Sequence, residues 1–162
     1  MVPKRDDQTF AYALVSAVPL QNINATGIAI VYKARDRSTI RTVCQALPDT
    51  DPLTAGYEAL MRVLEEALHT GVRRIKVYTD LHEIVDQLVR DAEVPRPLLV
   101  KHLKTRGMIN QLAGVNLVPA TSERFSARLI AQSARLPGES PTRRPRPREG
   151  NQLTLMPEDT LA

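Results

Sequence analysis

The stretch RRIKVYTDLHEIVDQLV, residues 73–89, places a strand pattern directly before a helix pattern, with one aspartate at the junction. Its first seven residues, 73–79, are rich in β-branched and apolar side chains, which is typical of a buried strand. Beyond Asp80, apolar residues recur at helical spacing over 81–89, and Pro95 then blocks helical continuation. The stretch therefore predicts a strand-to-helix unit with Asp80 where the two elements meet.

Toward the N-terminus, three consecutive antiparallel strands are predicted over 9–16, 26–33 and 39–46, separated by segments rich in turn-forming residues. A helix is predicted to follow them, with Thr54 as its capping residue and Gly71 just beyond its end. Apolar residues recur at helical spacing between these two positions, and glycine readily takes the left-handed conformation that ends a helix.

Toward the C-terminus, a third helix is predicted from about residue 97 to about residue 111, followed by a short strand over 114–119. A last helix is predicted to begin at Ser122, a favourable capping residue. We therefore expect one folded domain over residues 1–136.

Residues 137–162 differ in composition from the rest of the chain. They are rich in proline and arginine and hold too few apolar residues for a core, so a disordered C-terminal tail is predicted. The run RRPRPR at 143–148 is interpreted as a phosphate-binding arm, a polyproline-type ligand for a protein partner, or a solubilising segment.

The whole chain of 162 residues carries a formal charge of +4 and has a sequence pI near 9.5, which is compatible with a polyanionic partner. Cys44 is its only cysteine, which excludes an intramolecular disulfide and a zinc site with two thiolates from one chain. No apolar run reaches the roughly 20 residues that a membrane-spanning helix needs, and the first residues lack a signal-peptide pattern. We therefore expect a cytoplasmic protein with no membrane contact.

Three segments of the sequence identify a family more specifically than the order of the predicted strands and helices does. They are TAGYEALMRVLEEAL at 54–68, IKVYTDL at 75–81 and ERFSARLIA at 123–131. Together with the predicted order of strands and helices, they resemble the ribonuclease H family over most of residues 10–135. The resemblance implies an α/β, ribonuclease H-like fold, in which a mixed sheet of three antiparallel strands and two parallel ones is flanked by helices.

The family holds two magnesium ions with carboxylates from the first strand, the first helix, the end of the fourth strand and the last helix. Such a site needs several converging oxygen ligands. The resemblance places Asp80 at the fourth-strand position, whereas the other three positions fall on Ser16, Gly56 and Arg128. No cofactor is therefore expected, and magnesium is implied only if the chain is an active nuclease with an atypical ligand set.

Asp80 has two interpretations from the sequence. In the first, it forms an ion pair with Arg128, whose guanidinium competes with metal for the carboxylate and is also suited to a backbone phosphate. In the second, Asp80 is simply the N-cap of the helix that follows it.

A basic surface is the second candidate site. The cations assigned to it are Arg73, Arg74, Lys76, Lys101, Lys104 and Arg106, with Arg128 in the cleft. Such a surface suits an RNA–DNA hybrid or another duplex, although a solvated helix face has the same composition.

Aromatic and histidine residues suggest no further site. Phe10 and Phe125 lie in apolar patterns and are predicted to be in the core, so a stacking platform for single strands is not expected. His69, His82 and His102 are widely spaced with no acid cluster nearby, and they are interpreted as surface residues.

Three functions remain open at this point. The first is a catalytically inactive ribonuclease H-like module that binds nucleic acid or a nucleic-acid-processing partner. The second is an active, magnesium-dependent RNA–DNA hybrid endonuclease that retains Asp80. The third is a protein-interaction scaffold that recruits a partner through a sheet edge or the tail.

Overall fold

The computed structural model describes residues 10–21, 23–121 and 125–136, and the backbone of residues 150, 151, 153 and 154. The strands are β1 (Phe10–Pro19), β2 (Ala25–Ala34), β3 (Thr39–Pro48), β4 (Arg74–Thr79), β5 (Gly114–Pro119), β6 (Gly150–Asn151) and β7 (Leu153–Thr154). The helices are α1 (Pro52–His69), α2 (His82–Val89), α3 (Leu99–Gln111) and α4 (Ser126–Gln132), with a 3-10 turn at Arg96–Leu98.

The main sheet has five strands in the order β3-β2-β1-β4-β5. The β1–β2 and β2–β3 pairs are antiparallel, whereas β1–β4 and β4–β5 are parallel. This confirms the predicted fold, an α/β domain with a mixed sheet flanked by helices. Because β1 and β4 are parallel neighbours, their carboxyl ends lie at the same edge of the sheet.

One face of the sheet, which we call the first face, carries the main core. Alternate strand residues such as Val15, Ile28 and Val77 are buried there against apolar residues of α1, including Leu60 and Leu64. Helices α2 and α3 complete this layer. Full burial of each large aliphatic side chain stabilises the fold by roughly 1.5–3 kcal/mol, so this layer dominates stability.

The opposite face, the second face, is packed against α4. The small residues Ala127 and Ala131 of α4 are fully buried beside Val18 and Ala29 of the sheet. A Cβ atom at Gly27 would lie 2.2 Å from the carbonyl oxygen of Ala131. The absence of a side chain at Gly27 therefore lets the α4 backbone sit directly on β2.

A buried polar network joins the three helices of the first face. The Tyr57 hydroxyl lies 2.5 Å from Oε1 of Gln87 and 3.0 Å from Nδ1 of His102. Nε of Arg106 donates to Nε2 of His102 at 2.9 Å, and its Nη2 donates to Asp91 at 2.8 Å. Burial raises the pKa of Tyr57 to about 12.

His102 is buried, contrary to the prediction from the sequence. Only 6% of its surface is exposed, so the interpretation of all three histidines as surface residues is wrong for this one. Burial, and then the nearby positive charge of Arg106, lower the pKa of the His102 ring. The error arose because sequence spacing does not show that α3 turns this residue toward Tyr57.

Two helix starts also differ from prediction. Asp51, rather than Thr54, caps α1: its side chain accepts a hydrogen bond from the Thr54 backbone N–H at 3.1 Å, and Pro52 begins the helix. Helix α4 begins at Ser126 instead of Ser122, and residues 122–124 lie outside the described residues.

The predicted disorder of the tail stays a prediction. Apart from the backbone of β6 and β7, residues 137–162 lie outside the described residues. Within the described chain, none of the helices combines the length and apolar character that crossing a membrane requires.

Candidate functional site

Asp80 follows directly on β4, at the point where the parallel pairing of β1 with β4 ends. Val15 of β1 is paired with Thr79 of β4, and this register places Ser16 beside Asp80. The Ser16 hydroxyl is fully buried and donates to Oδ2 of Asp80 at 3.1 Å. The Asp80 side chain is only 2% exposed, so its charge needs a nearby partner.

Arg128 is that partner. Its Nη1 donates to Oδ2 of Asp80 at 3.3 Å, which confirms the predicted ion pair. The close packing of α4 on Gly27 and Ala29 delivers the guanidinium to the end of β4. The Arg128 side chain is still 37% exposed, so part of its guanidinium remains accessible from solvent.

The alternative role of Asp80, as the N-cap of α2, is wrong. The residue before α2 is Leu81, and no side chain caps this helix. The Leu81 backbone N–H instead donates to the Thr79 hydroxyl at 3.1 Å. The Asp80 carboxylate therefore accepts hydrogen bonds from the side chains of Ser16 and Arg128 and does not cap α2.

Gly56, the first-helix position of the expected carboxylates, lies in an apolar environment. A Cβ atom there would come within 2.7 Å of Ile84 Cδ1 and 2.8 Å of Leu81 Cδ1. The adjoining cavity, with a volume of about 10 Å³, is lined by Val15 and other apolar groups. Two side chains of the α2 region therefore fill the space that an acidic side chain on α1 would need.

The residues present do not fit a two-magnesium centre. Asp80 is the only carboxylate at the four positions that the family resemblance assigns, and a cation occupies the last of them. Oδ1 of Asp80 is buried with no hydrogen-bond partner in the described chain, but one oxygen beside a guanidinium does not make a divalent-ion site. Across the described residues, no three His, Cys, Asp or Glu side chains are grouped so as to hold a metal.

A groove of about 810 Å³ opens beside Arg128, between the end of β1 and α4. Arg135 and Gln132 also line it, together with Leu20 and Gln21 from the β1–β2 connection. The groove combines two guanidinium groups with amide side chains, which is a chemistry suited to anionic oxygens.

The structure does not bring the six other predicted cations together. Arg74 and Lys76 lie on the second face, since the alternate residues Ile75 and Val77 are in the first-face core. Arg73 is exposed just before β4. Helix α3, which carries the other three cations, packs against α1 on the first face.

Two of the α3 cations have structural partners. Lys101 pairs with Glu58 of α1, and Arg106 belongs to the buried network that includes His102. Lys104 is exposed and lines a groove between α1 and α3. The sequence did not show that these cations lie apart, because helical spacing alone does not indicate which cation pairs with an acid on another helix.

Sequence reasoning also missed aromatic residues on the second face. Phe125 is buried as predicted, but Phe10 is only half-buried and its ring lies 5.1 Å from that of Tyr12. The alternation of residues along β1 could have shown that Phe10 and Tyr12 lie on the same face of the sheet, opposite to Ala11 and Ala13.

The sequence profile of the reverse transcriptase-like family matches residues 15–115, well over half of the chain. No curated protein matches the sequence.

Solved structures with the same fold include ribonuclease H domains. Ribonuclease H1 of the halophilic archaeon Halobacterium salinarum superimposes with a TM-score of 0.68 at 18% identity, covering 77% of this chain and 96% of that one. The N-terminal ribonuclease H domain of a Mycobacterium tuberculosis protein gives 0.65 at 21% identity, with 76% and 98% covered. LC11 ribonuclease H1, isolated from compost and solved with an RNA/DNA hybrid, gives 0.66 at 21% identity, with 76% and 95% covered.

At these identities the structural likeness establishes the fold, and the profile match establishes the family. The chain belongs to the reverse transcriptase-like family and adopts the ribonuclease H fold.

Proposed function

We propose that this protein is a catalytically inactive ribonuclease H-like module that binds nucleic acid without cutting it. The observation that carries the proposal is the Asp80–Arg128 ion pair, in which a protein cation occupies the position next to the one retained carboxylate. Hydrolysis assisted by two metal ions needs those carboxylate oxygens to be directed at metal.

The surroundings of the pair support the same conclusion. Ser16 donates to Asp80 from the first strand, and Leu81 and Ile84 occupy the space beside Gly56. Each of the three substituted positions thus has its own hydrogen bond or packing contact. The region around Asp80, Gly56 and Arg128 is therefore closely packed and is not arranged as an open metal-binding site.

Nucleic-acid binding is supported by the chemistry of the groove beside Arg128. A guanidinium makes charge-assisted hydrogen bonds to phosphate, and Arg135 adds a second one on the same groove. The structural relative LC11 ribonuclease H1 was solved with an RNA/DNA hybrid. An RNA–DNA hybrid is therefore the first duplex to test.

The experiment is fluorescence anisotropy with a labelled RNA–DNA hybrid over a range of salt concentrations. The unmodified chain is expected to bind, and its affinity to fall with salt because phosphate contacts release counterions. Arg128→Gln is expected to weaken binding by roughly tenfold, since it removes a charge-assisted phosphate contact. Arg90→Gln, at an exposed residue of the α2–α3 connection, is the matched control. Unchanged affinity in Arg128→Gln would refute this use of the groove.

A second candidate, a protein-interaction scaffold, is favoured by one observation. Leu99, Val100 and Leu103 of α3 are 44%, 64% and 57% exposed, which is unusual for large apolar side chains on one helix. Absence of both binding and cleavage on every nucleic acid tested would favour this candidate.

A further inference from the structure

The amino-terminal halves of β1 and β4 present a basic, aromatic surface on the second face. Strand pairing places Tyr12 of β1 opposite Lys33 of β2 on one side and opposite Lys76 of β4 on the other. Asn116 of β5 continues the row beyond Lys76. One row across four strands thus carries an aromatic ring between two lysines.

The neighbouring row repeats the arrangement. Phe10 is paired with Arg74 of β4, and the guanidinium of Arg35 lies 5.8 Å from the centre of the Phe10 ring. Arg37, in the β2–β3 turn, lies 4.6 Å from the centre of the Tyr12 ring. We call this surface the basic band; its residues are Lys33, Arg35, Arg37, Arg74 and Lys76 around Phe10 and Tyr12.

Helix α4 does not extend over the basic band. It contacts β1, β2 and β3, and its apolar cluster reaches only as far as Leu14 of β1 and Tyr78 of β4. Phe10, Tyr12, Lys33 and Lys76 are all partly exposed. In the described chain, this half of the sheet face therefore meets solvent.

The charge of the basic band indicates its partner. Five of its residues are cations, and the Asp36 carboxylate beside them in the β2–β3 turn already accepts hydrogen bonds from Ser38 at 2.6 and 2.9 Å. Each aromatic ring has a cation over or beside it, so a strand of nucleic acid would find phosphate contacts and stacking surfaces together. Bases stack on aromatic rings and on guanidinium planes only when they are unpaired.

We propose that the basic band binds single-stranded nucleic acid, independently of the groove beside Arg128. The two sites are separate on the sheet. Lys76 of β4 lies four residues before Asp80, a distance of about 13 Å at the usual rise of an extended strand. A single strand on the band and a duplex at Arg128 are therefore distinct binding events.

The test uses the full chain and a fluorescein-labelled oligo(dT) 12-mer, followed by anisotropy over a range of salt concentrations. The double variant Lys33→Gln with Lys76→Gln is expected to bind about tenfold more weakly, with a shallower salt dependence. Tyr12→Leu, which keeps every charge, is also expected to weaken binding by about tenfold through loss of stacking. Thermal unfolding of each variant verifies that it is folded.

The matched control is the double variant Arg90→Gln with Arg96→Gln, which removes the same charge from the region of α2 and α3. Its affinity for oligo(dT) is expected to stay unchanged. Equal weakening in the control, or no weakening in the Lys33 and Lys76 variant, would overturn the proposal. Full affinity in Tyr12→Leu would also overturn it, because binding would then be purely electrostatic.

The outcome is separable from that of the proposed function. If oligo(dT) binding is lost with the Lys33 and Lys76 variant while hybrid binding is kept, both proposals hold. If no hybrid is bound but oligo(dT) is, the basic band stands and the Arg128 groove does not. If oligo(dT) binding depends on Arg128 and not on Lys33 and Lys76, the basic band is refuted.

Discussion

Nη1 of Arg128 lies 3.3 Å from Oδ2 of Asp80, although the two residues are 48 positions apart in the chain. The carboxylate comes from the end of a central strand and the guanidinium from the last helix on the second face. Because the acid is buried and the cation is partly exposed, the pair neutralises Asp80 while leaving Arg128 accessible from the groove. This relationship underlies both the stability of the site and its proposed use.

The first prediction concerns the strength of that pair. Arg128→Leu leaves the buried Asp80 carboxylate with Ser16 alone, and we expect it to lower the free energy of unfolding by about 2 kcal/mol, less than for a fully buried pair. Asp80→Asn in the same background is expected to recover part of the loss. Urea unfolding of both single variants and the double variant gives the coupling energy, and strictly additive effects would contradict the ion pair as a stabilising contact.

The second prediction concerns pH and His102. Its pKa is lowered in the folded state from the usual 6.5, so the unfolded chain binds the proton more readily. Stability is therefore fully present above about pH 6.5 and falls as pH drops from there toward the folded-state pKa, with a slope of at most about 1.4 kcal/mol per pH unit. Protonation also gives Nε2 a proton, which removes the acceptor that Arg106 uses.

Urea unfolding between pH 5 and pH 8 measures this effect, with His102→Gln as the comparison. The variant is expected to be less stable at pH 8 but to lose less stability on acidification. An identical pH profile for the two proteins would show that His102 is not the responsible group.

The third prediction concerns Tyr57. Tyr57→Phe removes the hydroxyl that contacts Gln87 and His102, so two buried polar groups lose a partner. We expect a loss of about 1–3 kcal/mol in the free energy of unfolding, measured at pH 8 where His102 is neutral. No measurable loss would mean that Gln87 and His102 find other partners in the variant.

The fourth prediction compares two glycines. Gly27→Ala would bring a methyl group against the Ala131 carbonyl oxygen and push α4 away, so we expect a loss of at least about 2 kcal/mol. Gly107→Ala, in the exposed middle of α3 with nothing within 4 Å of the new atom, is expected to stabilise by about 1 kcal/mol. Thermal unfolding of both variants measures the difference, and a tolerated Gly27→Ala would contradict the close packing of α4.

Much of the fold was predictable from the sequence because its signals are local. The patterns of apolar residues located β1 to β5 to within a few residues. The strand-to-helix unit over residues 73–89 correctly placed Asp80 at the end of a strand. The pairing of Asp80 with Arg128 followed from the family resemblance, since both residues fall on positions that converge in the ribonuclease H fold.

Features that depend on packing were not predictable. The burial of His102 and the pairing of Lys101 with Glu58 depend on how α3 rests on α1, which no local pattern reports. The division of the cations between two faces likewise follows from the register of β4. The basic band required the pairing of Tyr12 with both Lys33 and Lys76, a relationship among three strands.

The central claim, binding without hydrolysis, is tested most directly by a single-turnover cleavage assay. The full chain, in excess over an end-labelled RNA–DNA hybrid, is incubated with magnesium or manganese beside its Asp80→Asn variant. We expect the hybrid to be retained on the protein and to stay intact, with no difference in cleavage between the two proteins. Metal-dependent cleavage that is abolished by Asp80→Asn would contradict it and would establish an active nuclease.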